Sequence, residues 1–195
     1  MKRSHSALLA TSLLLVATSA SAHPGHDTHG LMAGLTHPFT GLDHLLAMLA
    51  IGIWSARQSR ALKLGTPLLM VFGMLAGAGI ALLSGGQALH ALIAEQGILL
   101  SVLASGALVA LLLRLPTLSG AVMIAGFMAF HGFAHALEMP AAGSAIGYMA
   151  GFVVATLALA LLGRAAGQRL MGVPAIASRL VGGAVMASAV MMAVQ

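Results

Sequence analysis

The sequence predicts an all-α protein, a polytopic membrane bundle of six transmembrane helices behind a cleaved signal peptide. Three observations lead there. Hydrophobic residues make up 59% of the 195 and charged residues only 7%, with a mean hydropathy of +1.01, far above that of a water-soluble domain. Apolar runs long enough to cross a hydrocarbon core of ~30 Å recur along the chain. The few charges that remain are sorted by sign between alternate connections.

At the N-terminus, Lys2 and Arg3 form a basic start, the apolar run Ala7 to Ala17 is too short to span, and Ala20 to Ala22 reads as a small-residue cleavage site. Residues 1–22 are therefore expected to be a signal peptide, 23–35 a His-rich periplasmic leader, and 36–195 the six-helix membrane domain. Hydrophobic runs bounded by turn or charge signals place the spans near 36–56, 66–84, 95–113, 117–139, 143–162 and 173–194. With the mature N-terminus outside, the loops after the first, third and fifth spans face the cytoplasm. They carry Arg57, Arg60, Lys63, Arg114, Arg164, Arg169 and Arg179, which are all the Lys and Arg residues of the mature chain. The sequence pI of 11.3 thus reflects topology rather than a nucleic-acid-binding patch, because the basic residues are spread over separate loops. Glycines four apart, Gly73 and Gly77, Gly147 and Gly151, and Gly163 and Gly167, suit close helix approach, and the methionines read as gap-filling core residues. Cysteine is absent, so any metal must be held by nitrogen and oxygen.

The complementary set is more informative. His23, His26, Asp27, His29, His37, Asp43, His44, His90, Glu95, His131, His135 and Glu138 all fall on the opposite side from the basic residues. In the first span, His37 and His44 are two helical turns apart and share a face if the helix already runs at His37. Asp43 adjoins His44 as a flanking ligand or as the acceptor that fixes a histidine tautomer. In the fourth span, "FHGFAHALEMP" sets His131, His135 and Glu138 at i, i+4 and i+7, one stripe on one helix face. The first span runs inward and the fourth outward, which puts both His44 and His131 roughly 12 Å below the outer surface. Ionisable groups at that depth are expensive, and an ion path, proton relay or cofactor is the usual reason for them. Imidazole with carboxylate and no sulfur suits Ni(II), Co(II), Cu(II) or Zn(II), and argues against Mg(II) and Ca(II). His23, whose α-amine would be free after cleavage, and Glu95, at the outer start of the third span, are secondary metal candidates.

On these residues the chain resembles the HupE/UreJ family of nickel and cobalt permeases. The family's H-x5-D-H motif is met by His37, Asp43 and His44, and its F-H-G-x-A-H-x-x-E motif by Phe130, His131, Gly132, Ala134, His135 and Glu138. One departure is Ala136, where the family often has glycine. The resemblance implies secondary uptake of Ni(II) or Co(II) across the bacterial inner membrane. Its partners would be the lipid bilayer and the transported ion, with no prosthetic group, no nucleic acid and no enzymatic activity. Two alternatives are an intramembrane metal-dependent hydrolase, with the metal activating water, and a permease for Cu or Zn.

Overall fold

The structure, a computed structural model, describes residues 30–85, 88–139 and 144–194. The expected signal peptide, the leader with His23, and the side chain of His90 lie outside what is described. The elements in order are α1 (Leu31–Thr36), a 3-10 turn (His37–Phe39), α2 (Leu42–Ser55), α3 (Arg60–Ser84), α4 (Ala88–Ala110), α5 (Thr117–Leu137), α6 (Ala145–Leu170) and α7 (Ala175–Ala193). There is no strand among the described residues. Helices α3 to α7, five in all, are long and apolar enough to cross a membrane.

The first expected span is the exception. Residues 36–56 do not form one helix: α2 has 14 residues, or about 21 Å at 1.5 Å per residue, short of a bilayer core. The break has a local cause. Pro38 lacks an N–H and sits in the 3-10 turn, and Gly41 is extended (φ −95°, ψ 118°) as the N-cap of α2. The N-terminal end of α2 is steadied by Asp43, whose Oδ1 accepts from the His44 backbone N–H at 2.7 Å. His37 and His44 therefore belong to different elements and do not share a helix face.

Other boundaries shift for similar reasons. Helix α3 begins at Arg60 because Ser59 caps it, accepting from the Leu62 N–H, and ends on Gly85 at φ 68°. Helix α6 continues to Leu170, about two turns beyond the expected end. That extension is held by packing: a Cβ on Gly163 or Gly167 would fall on the Leu49 or Ile53 carbonyl of α2.

Pairs of close-packed helices build the bundle, with α3 on α5, α2 and α1 on α6, α4 on α7, and α2 lodged between α4 and α6. The closest approach is reciprocal between α3 and α5. Gly77 faces the Ala129 carbonyl while Gly132 faces that of Met74, so neither position has room for a Cβ. The core is made of Met48, Ile51, Trp54, Met70, Met74, Ile124, Met128 and Phe152, all fully or almost fully buried, and the four methionines fill it as expected. Outside, Leu68, Phe72, Leu83, Leu118 and Ile146 are each more than two-thirds exposed. Such a wholly apolar exterior is what lipid, rather than water, stabilises.

The two ends differ in chemistry. His37, Asp43, Glu95, His135 and Glu138 gather at one end around a common cavity. At the other, Arg57 donates to Ser178 Oγ at 3.1 Å and Arg164 Nε to Ser55 Oγ at 3.3 Å.

Candidate metal centre

Helix α5 presents His131 and His135 one turn apart, and Glu138 follows as its C-cap, with its N–H bonded to the Ala134 carbonyl. Helix α2 brings His44 to them from its first turn, and the 3-10 turn brings His37. The side chains form two groups, each able to hold a metal ion.

The inner group is His44, His131 and His135, exposed by only 2%, 0% and 7%. His44 Nδ1 lies 2.8 Å from His131 Nδ1 and 2.9 Å from His135 Nε2. The tautomer of His131 follows from its neighbours. Ser101 Oγ donates to the Ile98 carbonyl at 2.6 Å, so at 3.0 Å it accepts from His131 Nε2–H. His131 Nδ1 then carries a lone pair, aimed at His44. A neutral His44 can satisfy only one of its two nitrogen neighbours as a hydrogen bond. Convergence of more lone pairs than hydrogens is what a cation resolves. On its far side His44 Nε2 is 3.4 Å from Thr156 Oγ1.

The outer group is His37, His135 and Glu138. Here His37 Nε2 lies 2.8 Å from His135 Nδ1 and 3.0 Å from Glu138 Oε2, and His135 Nδ1 lies 2.7 Å from the same oxygen. The side chains of His37 and Glu138 are 30% and 53% exposed. Hydrogen bonds from His135 and then His37 hold the Glu138 carboxyl down to about 2, so it is ionised at any physiological pH.

An aromatic wall from α6 sets the ring orientations. The Phe152 ring lies 4.3 Å from His135, 4.9 Å from His44 and 6.3 Å from His37. Tyr148 stands 5.8 Å from His37, and its buried hydroxyl has no hydrogen-bond partner among the described residues.

The remaining candidates stand apart. Asp43 joins neither group among the described residues. Its Oδ1 accepts from the His44 backbone N–H rather than from an imidazole, because a carboxylate in a first helical turn is drawn to the free N–H groups there. It does line the shared cavity, of about 1010 Å³, as does Glu95, which is exposed and in neither group. Ala136 packs its methyl in a small apolar cluster with Ala78, Ala81, Ala94 and Phe133, away from the imidazoles. Ser101, Tyr148, Phe152 and Thr156 were not singled out from sequence. A lone hydroxyl or aromatic in an apolar helix has no periodic partner to reveal it.

Apolar-faced spanning helices around a buried imidazole cluster define a multi-pass membrane protein with a nitrogen-rich candidate cation site. The family model described as HupE / UreJ protein matches residues 11–192, and the chain belongs to the HupE/UreJ family. It is 37% identical over 173 residues to Protein HupE of Rhizobium leguminosarum bv. viciae, covering 88% of each chain. No solved structure matches.

Proposed function

We propose that the protein is a secondary permease that takes up Ni(II), with Co(II) as a second substrate, across the bacterial inner membrane, from the histidine end to the arginine end. The observation that carries this reading is the inner group: three imidazoles of two different helices, buried in the bundle with their nitrogens turned toward one another. Family membership favours transport over intramembrane hydrolysis.

The donor set, imidazole nitrogen with one carboxylate and no sulfur, suits Ni(II), Co(II), Cu(II) or Zn(II), and family membership favours nickel or cobalt among them. The direction of transport rests on the basic residues, which gather at the end opposite the histidines and mark it as cytoplasmic. An inside-negative membrane potential then drives a dication inward by about 4.6 kcal/mol per 100 mV, enough to make a separate energy source unnecessary for accumulation.

Uptake of radioactive nickel and cobalt at trace concentration, by cells expressing the wild type, His44→Ala or His131→Ala, tests the reading. The wild type should accumulate metal and both variants should not. Equal accumulation by all three would show that the inner group is not on the transport path.

A further inference from the structure

The two groups are not independent sites, because His135 belongs to both. Its Nδ1 faces His37 and Glu138, and its Nε2 faces His44. We propose that a single ion visits two successive positions, outer and inner, on opposite sides of the His135 ring, and that this imidazole hands it from one to the other. The inference rests on the permease reading and adds a sequence of steps to it.

Exposure and ligand chemistry both change in the same direction between the two positions. The outer one is open to the cavity and contains the half-exposed Glu138 carboxyl. A carboxylate with accessible space beside it attracts a hydrated dication and lets it keep part of its water. The inner position is buried and consists of imidazoles alone, so an ion arriving there exchanges its remaining water for nitrogen, a donor that Ni(II) favours. Metal–nitrogen bonds of ~2.0 Å on either side of one ring put the two positions about 6 Å apart, a step that does not require release into the cavity. A neutral imidazole offers one lone pair, so the shared ring admits one ion at a time. The ring proton changes sides with it, leaving Nε2 as that nitrogen takes the ion and returning at Nδ1, where Glu138 Oε2, 2.7 Å away, accepts its hydrogen bond. Below the inner position lie Met48, one turn on from His44, and Met128, nearly one turn from His131, both wholly buried. The inner position is therefore the deepest that this conformation opens.

The test uses the full-length protein in lipid nanodiscs with radioactive Ni(II) as probe. Three quantities are read: bound metal per protein, the rate of loading, and the rate of stripping by excess EDTA. The wild type should bind one ion and release it slowly. His131→Ala, left with the outer position, should still bind an ion but lose it at least about tenfold faster. Glu138→Gln should load about tenfold more slowly yet strip at the wild-type rate. Ser101→Ala, which keeps every ligand and spares the fold, should strip faster with loading unchanged. Two ions per wild-type protein, or loading and stripping altered together in all variants, would overturn the relay. Failure of the permease reading looks different: nickel binding behaves as described while cells expressing the wild type take up no nickel.

Discussion

The two ends of the bundle bury polar atoms in opposite ways. At the arginine end, among the described residues, every buried side-chain donor finds an acceptor. Trp54 Nε1–H donates to the Leu113 carbonyl at 2.9 Å, and Gln58 Nε2 donates to the Trp54 and Leu113 carbonyls, both at 3.2 Å. Gln58 Oε1 in turn accepts from Leu115 N–H at 3.1 Å. That network closes the end and ties α2 to the α4–α5 connection, where Leu112 takes a left-handed φ of 56°. At the histidine end the polar atoms are mostly acceptors converging on two shared points. The first arrangement is the ordinary solution for buried polarity. The second makes chemical sense around a cation, and the contrast separates structure from function within one continuous helix, α2.

The sharpest way to break this contrast is to exchange losses between the ends. His131→Ala should lower nickel uptake by about 100-fold or more, because one buried ligand is gone and the others lose their orientation. Trp54→Phe at the other end should leave nickel affinity unchanged and cost about 1 kcal/mol of stability for one lost hydrogen bond, read as a lower melting temperature. Equal effects on affinity would erase the distinction. Next in size is Gly132→Ala, between the two α5 histidines. Its methyl would meet the Met74 carbonyl, so we expect about 1–3 kcal/mol of destabilisation from overpacking and a matching fall in uptake as α5 is pushed from α3. Thermal unfolding and uptake on the same preparations check both.

Ser101→Ala should be milder. Without the hydroxyl, His131 Nε2–H has no acceptor and its tautomer is no longer fixed, which should weaken equilibrium nickel affinity by about tenfold without unfolding the protein. Acid provides a further discriminator. The Glu138 pKa is depressed to about 2, so the interactions of its carboxylate are fully present above the ordinary carboxylate range and fade only as pH falls towards 2. Glu138→Gln should therefore weaken nickel binding at neutral pH, where the wild-type carboxylate is ionised, and equal affinity of variant and wild type at pH 7 would contradict this. The smallest effect belongs to Glu95→Gln. Glu95 lines the cavity but touches neither group, so uptake should change by about twofold at most, as for other solvent-screened charges.

Much of the histidine end was legible in the sequence because its spacing repeats with the helix. His131, His135 and Glu138 are set by the α-helical period, and the equal depth of His131 with His44 follows from span direction alone. The interruption between α1 and α2 was not legible. Pro38 is as acceptable in a first helical turn as in a 3-10 turn, and hydropathy runs on through Gly41 without a break. The sequence therefore points to His37 as a metal candidate but not to the separate 3-10 turn from which it reaches the cluster. Ser101 was hidden for another reason. Serine within an apolar helix commonly bonds to its own backbone, as Ser101 does to the Ile98 carbonyl, and only the tertiary contact with His131 reveals its second role. The end of α6 was not legible because Arg164 and Arg169 break the apolar run, although Gly163 and Gly167 already have the spacing that admits α2.

X-ray absorption at the nickel edge, on purified wild-type protein loaded with one equivalent of Ni(II), addresses the imidazole cage directly. The spectrum should show a first shell of nitrogen and oxygen at about 2.0–2.1 Å with multiple scattering from about three imidazoles, and His44→Ala should lose part of that scattering. A first shell of oxygen alone, with no imidazole signal in the wild type, would mean that the buried histidines do not hold the ion.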